Sequence, residues 1–250
     1  MSRLARPVAQ WTRIYFRIRI LIPIMKVAAT RRSPRRGLAP KVRMPLQARS
    51  RATFDRLLSA AVALLAERRF EEASVAELVR RAGSSVGAFY ARFESKEALL
   101  HELDVRLFEV GRAKWKEFLA PERWEGASAS AILSEVVSKL VDTRRERRGL
   151  LRALALYVRS RPGSEFARRS AKLNRLLTER LTELMLTRRS EIGHPRPGLA
   201  IAFALEIVDS VTRDAILFAD AGLAPARLSD TELKAELLRA LTLYLRLEED

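Results

Sequence analysis

Two short helices joined by a glycine turn are the feature of this sequence that most constrains its fold. Ser74 begins Ser-Val-Ala-Glu, a pattern in which the serine hydroxyl accepts a hydrogen bond from the Glu77 amide and the Glu77 side chain reaches back. The helix that follows ends at Gly83, where we expect a left-handed backbone conformation. Ser85 can cap a further helix only two residues later. The pattern therefore predicts a helix-turn-helix.

A longer helix precedes this pair, from Arg51 to about Arg68. Its apolar residues recur at steps of three and four and so share one face: Phe54, Leu57, Leu58, Ala61, Leu64 and Leu65. The third helix has a similar predicted stripe: Val86, Phe89, Tyr90 and Phe93. Three helices arranged in this way leave the start of the third free to enter a DNA major groove, which is about 12 Å wide.

The run from Ala82 to Leu100 places glycine, Phe-Tyr, Phe and Ser-Lys-Glu at fixed spacing. With the residues before it, this run resembles the DNA-binding domain of TetR-family regulators over residues 51–100. The matching residues are Ala66-Glu67-Arg68, Phe70, Ser74-Val75, Leu78, Arg81-Ala82-Gly83, Ser85, Gly87, Phe89-Tyr90, Phe93 and Ser95-Lys96-Glu97-Ala98-Leu99-Leu100. The chain departs from the family pattern at Arg69, Val79, Ser84 and Arg92, which bears on local geometry rather than on the fold.

The resemblance implies an all-α fold, with an N-terminal three-helix helix-turn-helix DNA-binding domain and a C-terminal helical domain for ligand binding and dimerisation. It predicts a sequence-specific transcriptional regulator, a repressor that a small-molecule inducer releases from its operator. The predicted partners are double-stranded DNA with a palindromic operator, a second copy of the chain and an unknown inducer, and no cofactor is expected. The alternative is an interaction protein that keeps the fold without reading DNA, because the third helix lacks an early Lys or Arg.

The resemblance also indicates which side chains meet DNA. The residues expected at base edges are small: Ser84, Ser85, Val86 and Ala88. The other predicted DNA-binding residues are Arg49, Arg51, Ser74, Tyr90, Arg92 and Lys96. Arg92 is the candidate for a bidentate contact with guanine, and the amides beside Ser95 are a candidate anion site. Structural alternatives remain open, such as half-buried packing for Tyr90 and an ordinary helix-start cation for Lys96.

Beyond Ser95 the chain reads as a run of helices divided by proline and glycine. The predicted helices cover residues 95–120, 128–144, 149–160, 162–190, 198–221 and 229–247. Pro162 fits a first helical position, and Ser229 and Glu232 form a capping box. The last two long helices carry more apolar surface than one core can cover, and the resemblance implies that they form the homodimer interface.

In the resembled family the middle helices enclose a pocket for the inducer. The large residues available to line one here are Phe108, Trp115, Phe118, Leu119, Leu154, Tyr157 and Phe166, although plain core packing is the alternative for each. Asp209 and Arg213 are four residues apart and are interpreted as a surface pair. His101 and His194 lack metal-ligand spacing, and no catalytic motif is recognisable, so neither a metal site nor an enzyme is expected.

The net charge of +17 is concentrated near the N-terminus, where residues 1–43 hold 12 of the 47 basic residues and no acid. The predicted domains are a basic extension (1–43), the helix-turn-helix domain (44–100) and the second helical domain (101–250). The extension is interpreted as disordered or as a mis-started segment before Met25 or Met44, with a DNA-following arm as the alternative. Its apolar run is too short and broken for a signal peptide or membrane span, and the lack of cysteine makes the cytoplasm the default location.

Overall fold

Helices form the regular secondary structure of the described part of the chain. The computed structural model describes residues 42–43, 48–67, 70–221 and 227–248. The prediction of an all-α fold is confirmed there, since β pairing among these residues is limited to the isolated bridges Val42–Phe93 and Ile192–Leu247. The α-helices in chain order are α1 (Ala48–Glu67), α2 (Val75–Arg81), α3 (Val86–Tyr90), α4 (Lys96–Phe118), α5 (Ala129–Glu146), α6 (Arg148–Ser160), α7 (Glu165–Leu186), α8 (Pro197–Thr212) and α9 (Asp230–Leu245).

The caps and the turn of the helix-turn-helix follow the predicted pattern. Ser74 Oγ accepts a hydrogen bond from the Glu77 amide, and Ser85 Oγ accepts one from the Ala88 amide, both at 3.1 Å. Gly83 lies between the two helices with a φ of +56°, a left-handed conformation that glycine adopts without strain. The predicted cap at each serine and the predicted turn are therefore confirmed.

The apolar face of α1 packs against Phe93, just after α3, and against helices from the second half of the chain. Phe54 stacks on Phe93 with ring centroids 5.0 Å apart, and Phe93 also meets Phe89 at 5.5 Å. The same buried cluster includes side chains of α6 and α7: Leu150, Ala153, Leu154 and Phe166. Burial of apolar surface therefore joins the helix-turn-helix to the start of the second helical layer.

The closest approach between these layers is at Gly149, in the first turn of α6. A Cβ atom there would lie 1.8 Å from the carbonyl oxygen of Leu65, near the end of α1. No side chain can occupy that space without moving one of the two backbones. Gly149 therefore fixes how α6 rests on α1.

The start of α7 differs from the prediction. Pro162 was expected at a first helical position, but α7 begins at Glu165. Gly163 has a φ of +81°, which turns the chain, and Ser164 caps the helix by accepting a hydrogen bond from the Ala167 amide at 3.3 Å. By contrast, the capping box that Ser229 and Glu232 were predicted to form at the start of α9 is confirmed.

The predicted single helix over residues 198–221 is interrupted. α8 ends at Thr212 and continues as a π-helical segment, Arg213–Leu217. The Thr212 hydroxyl donates to the Val208 carbonyl, and the backbone ladder widens until the Phe218 amide donates to Arg213 at 3.3 Å. The wider turn rotates the residues that follow relative to a continuous α-helix.

The N-terminal predictions fall almost entirely on residues 1–41, which lie outside the described residues. Of the two residues described before α1, Val42 bridges to Phe93, and the Arg43 amide donates to the Arg92 carbonyl at 2.8 Å. None of the described helices has both the length and the apolar character needed to cross a membrane.

Candidate nucleic-acid interface and cavity

The start of α3 presents an exposed surface above a buried aromatic pair. Val86 is 46% exposed and Tyr90 is 52% exposed, whereas Phe89 and Phe93 are buried. The predicted apolar stripe is therefore wrong for Val86 and Tyr90, which face solvent while Phe89 of the same short helix is buried. The other residues predicted at base edges also lie at or near the surface: Ser85 is exposed, and Ser84 and Ala88 are half-buried.

The two cap serines combine a structural bond with a remaining donor. Ser74 and Ser85 are both exposed, and each Oγ accepts an amide of its own helix. A hydroxyl that accepts one hydrogen bond can still donate its proton elsewhere. Either serine could therefore donate to a phosphate or base edge without giving up its cap.

Arg92 lies against the protein rather than projecting from it. Its Nη1 donates to the Ala88 carbonyl at 2.7 Å, and its Nη2 donates to Ser50 Oγ at 2.8 Å. These bonds link the end of α3 to α1. A bidentate contact between this guanidinium and guanine would require both bonds to break.

Lys96 is held even more completely. Its ammonium donates to the carbonyls of Phe70 at 2.7 Å, Ala73 at 2.9 Å and Glu71 at 3.3 Å, and it lies 4.6 Å from the centroid of the Phe70 ring. An ammonium has three N–H donors, so all three are used within the protein. Lys96 therefore braces the start of α4 against the loop between α1 and α2.

The remaining predicted DNA-binding cations are on α1. Arg51 is exposed in the first turns of that helix, whereas the Arg49 side chain lies outside the described residues. Ser95, beside the predicted anion site, caps α4 by accepting a hydrogen bond from the Ala98 amide at 3.2 Å. The contacts of these groups with DNA remain predictions.

A cavity of about 420 Å³ lies between α4, α5, α6, α7 and α8. Five of the seven residues predicted to line a pocket do so: Phe108, Trp115, Leu119, Leu154 and Phe166. Phe118 instead packs edge-on between Trp115 and Trp124, and Tyr157 packs on Phe166 with ring centroids 4.3 Å apart. Helical spacing could not separate these two from the others, because all seven are large residues on inward-facing positions.

A charged cluster that the sequence interpretation missed forms part of the cavity wall. Asp209 accepts hydrogen bonds from Arg144 through one carboxylate oxygen and from Arg213 through the other. Arg144 also donates to Thr212 Oγ1. The predicted pairing of Asp209 with Arg213 is confirmed, but the pair lies in the cavity wall beside Arg144 of α5 rather than on the open surface. The i,i+4 spacing predicted the pairing of Asp209 with Arg213 but could not predict the contact with Arg144.

A second charged group in the wall joins α4 to α7. Arg169 donates to Asp104 and, through Nη1, to Glu165 at 3.1 Å. Burial raises the pKa of the Asp104 carboxyl, and the hydrogen bond from Arg169 opposes that rise. The buried Nη2 of Arg169 has no hydrogen-bond partner among the described residues.

The two histidines occupy unrelated sites. His101 packs edge-on against Phe166 at 5.4 Å, and burial lowers the pKa of its imidazole. His194 packs on Tyr244, and its Nδ1 accepts a hydrogen bond from the Arg196 amide at 3.1 Å. Within the described ranges, no three His, Cys, Asp or Glu side chains are grouped so that they could hold a metal ion.

Residues 57–103, from the middle of α1 into α4, match the family model for bacterial regulatory proteins of the tetR family. Over these residues the chain is similar to the tetR family of bacterial regulatory proteins. The same region is 36% identical over 47 residues to an uncharacterised HTH-type transcriptional regulator, YvdT, of Bacillus subtilis. That match covers 19% of this chain and spans about a quarter (24%) of the relative's length.

Solved structures of TetR-family regulators share the fold beyond the matched domain. A putative TetR-family transcriptional regulator from Mesorhizobium loti aligns with a TM-score of 0.61 at 19% identity, over 80% of this chain and 98% of its own. A transcriptional regulator from Rhodococcus sp. Rha1 aligns with a TM-score of 0.59 at 23% identity, over 77% of this chain and 96% of its own. The TetR-like fold therefore includes the helices that surround the cavity.

Proposed function

We propose that this protein is a sequence-specific DNA-binding transcriptional regulator that binds a palindromic operator as a homodimer. A small molecule bound in the cavity would release it, which makes it a repressor. The observation that carries the proposal is the exposed face of α3, held by the Gly83 turn within the region that matches the TetR family. Its place of action is the cytoplasm, where bacterial DNA lies, and no enzymatic step is involved.

Base recognition falls to the exposed side chains at the start of α3. The Val86 methyl groups suit contact with a thymine methyl, and the hydroxyls of Ser84 and Ser85 suit base-edge hydrogen bonds. Tyr90 projects from the end of the same helix and suits a phosphate. Arg92 and Lys96 are positioning residues in this proposal, because their donors already hold α3 and α4 in place.

Dimerisation through α8 and α9 is supported by the apolar side chains that these helices expose. Leu199 and Phe203 lie one turn apart on α8 and are exposed, as is Leu243 on α9, at 74%. The rings of Phe203 and Tyr244 lie 5.8 Å apart, so α8 and α9 meet near the exposed Phe203, and Tyr244 directly follows Leu243. A two-fold interface there would present two copies of α3 to two half-sites.

The dimer interface is tested with Phe203→Glu and Leu243→Glu in the full chain. A carboxylate buried in the interface should shift the sedimenting species from dimer to monomer at micromolar concentration. Val110→Glu is the control, because Val110 is an exposed apolar residue on α4 outside the patch. A dimer that survives both charged variants would place the interface elsewhere.

Release by a ligand requires a link between the cavity and the reading helices, and α4 and α6 each offer one. α4 is braced by Lys96 at its start and lines the cavity at Phe108. α6 rests on α1 at Gly149 and lines the cavity at Leu154. A ligand that favours one cavity shape would bias the position of both helices and so the spacing of the two DNA-binding domains.

Selection of bound fragments from genomic DNA at about 150 mM salt, using the full chain, tests the proposal. We expect enrichment of a palindrome whose half-sites are one helical turn apart, bound at least about a thousand-fold more tightly than random DNA. Uniform salt-sensitive binding, or none, would favour an interaction protein that has kept the fold. Two observations favour this alternative function. Arg92 turns inward, and α3 has no Lys or Arg near its start.

A further inference from the structure

The wall of the cavity holds one carboxylate between two guanidinium groups. Asp209 accepts from Arg144 through one oxygen and from Arg213 through the other. Thr212, which also accepts a hydrogen bond from Arg144, donates one to the Val208 carbonyl and adds no charge. These side chains, the Arg144 cluster, therefore carry one positive charge more than the single negative charge between them.

Burial of Arg144 makes the like charge of Arg213 beside it costly. The Arg144 side chain is only 14% exposed. Burial lowers the pKa of its guanidinium, and although Asp209 opposes that effect, the charge of Arg213 adds to it. A cation removed from water is stabilised only when enough negative charge or acceptor oxygen surrounds it. A second anion bound beside Arg144 and Arg213 would therefore stabilise the cluster.

The other charged side chains of the cavity wall do not supply that anion. Arg169 is already matched by Asp104 and Glu165. Glu206 lines the cavity one turn before Asp209, but its side chain is exposed, and no ion pair joins it to the cluster within the described ranges. Arg159, also exposed, would add positive charge.

The rest of the cavity suits an apolar molecule. Aromatic and aliphatic side chains dominate the wall: Phe108, Trp115, Leu119, Leu140, Leu177 and Leu205. The volume of about 420 Å³ falls in the range of roughly 300–1,000 Å³ that small-molecule sites occupy. The apolar side chains can bind the body of a ligand, and the polar cluster can fix its orientation.

We propose that the cavity binds a small molecule with an apolar body and a single carboxylate, which Arg144 and Arg213 hold beside Asp209. The inference deepens the proposed function, on which it rests for the ligand's role as inducer. One carboxylate on the ligand balances the positive charge of the Arg144 cluster. A neutral ligand leaves that positive charge unbalanced, and a protonated amine adds a second one.

Calorimetric titration of the full chain without DNA tests this ligand class. The probes are decanoate, 1-decanol and decylamine, which share a ten-carbon body and differ in the head group. We expect decanoate to bind at least about ten-fold more tightly than decanol, which is the worth of one charge-assisted hydrogen bond, and decylamine not to bind measurably. No decanoate binding, or equal affinity for decanoate and decanol, would overturn the proposal.

Variants of Arg213 separate recognition of the carboxylate from filling of the cavity. Arg213→Met should lower decanoate affinity about ten-fold and leave decanol affinity unchanged, and Arg213→Lys should keep most of the decanoate affinity. Arg145→Met is the matched control, because Arg145 follows Arg144 on α5 but pairs with Asp230 outside the cavity wall. If Arg213→Met leaves decanoate affinity unchanged, or weakens decanoate and decanol equally, the proposal is wrong.

The two proposals fail in distinguishable ways. Genomic selection reports on α3 and needs no ligand, whereas the calorimetric titration contains no DNA. A chain that selects a palindrome but does not prefer decanoate keeps the proposed function and loses the ligand class. A chain that binds decanoate but selects no site keeps the ligand class and loses the regulator.

Discussion

The helix-turn-helix and the cavity use their cations in opposite ways. In the helix-turn-helix, Arg92 and Lys96 turn inward, and their bonds go to uncharged carbonyl and hydroxyl oxygens of neighbouring segments. In the cavity wall, Arg144 and Arg213 share the single carboxylate of Asp209 and leave an excess of charge. All three donors of Lys96 are used within the protein, whereas Arg144 and Arg213 share one counter-charge. The buried Nε of Arg92 has no hydrogen-bond partner among the described residues.

This difference shows that a cation's surroundings indicate its role better than its presence in a motif. A charged group whose donors are all used contributes to the shape of a surface, and its loss costs stability. A cation that shares its one counter-charge with a second cation contributes to binding, and its loss costs affinity. Substitutions at particular residues test that distinction.

The largest expected effect is at the contact between the two regions. Gly149→Ala should lower the free energy of unfolding by about 3 kcal/mol, because the added Cβ would overlap the Leu65 carbonyl and force α6 away from α1. Urea unfolding followed by circular dichroism measures this change. Gly111→Ala on α4 is the control and should raise stability by about 0.5–1 kcal/mol, since the nearest atom to its Cβ, on Leu173, is 3.6 Å away. Equal responses of the two variants would contradict the tight contact.

Lys96→Met should cost about 2–3 kcal/mol of unfolding free energy, because it leaves three carbonyls without their donor. The measurement is again urea unfolding, with Lys116→Met, an exposed lysine on the same helix, as the control. If Lys96 instead contacts a phosphate, stability would hold, and the salt dependence of DNA binding would lose about one counterion. That outcome would show that Lys96 binds DNA rather than stabilising the helix-turn-helix.

Val86→Ala should weaken binding to the selected palindrome by about three- to ten-fold through loss of methyl contact with a base, and should leave unfolding unchanged. Fluorescence anisotropy with a labelled operator measures the affinity. Val110→Ala is the matched control, since Val110 is 44% exposed and lies 14 residues beyond Lys96 on α4. Equal loss in both variants would mean that α3 does not read the bases.

The smallest expected effect is on stability at the cavity. Arg213→Met should change the unfolding free energy by no more than about 0.5 kcal/mol, because it leaves Arg144 and Asp209 as a balanced pair and Arg213 is 36% exposed. Urea unfolding of this variant beside Lys96→Met compares the two kinds of cation directly. A loss as large as that of Lys96→Met would show that the Arg144 cluster is structural and complete without a ligand.

The sequence predicted the helix-turn-helix well because its signals are local. Gly83 and the cap serines Ser74 and Ser85 act within a few residues of their own positions, so their spacing alone gives the turn. The exposure of Val86 and Tyr90 depends on how α3 meets α1, which periodicity over five residues cannot determine. For the same reason the inward turn of Lys96 depends on a loop more than 20 residues away in sequence.

The sequence predicted the approximate position of the cavity but not all of the residues that line it. Large residues on the middle helices indicated where a pocket could form, but Phe118 and Tyr157 pack against neighbouring rings instead. α8 is interrupted after Thr212, whose hydroxyl donates to the Val208 carbonyl; many α-helices tolerate such a bond, so the sequence did not predict the interruption. Arg144 is 65 residues from Asp209, and a pairing at that separation cannot be predicted from the spacing of residues in a single sequence.

The most direct test of the account is titration of the selected operator, and of the same duplex with one half-site scrambled, with stoichiometry followed by sedimentation. Two protomers per duplex and a loss of at least about a hundred-fold on scrambling one half would support a two-fold reader that presents two copies of α3. Equal affinity for the two duplexes, or one protomer per duplex, would contradict it.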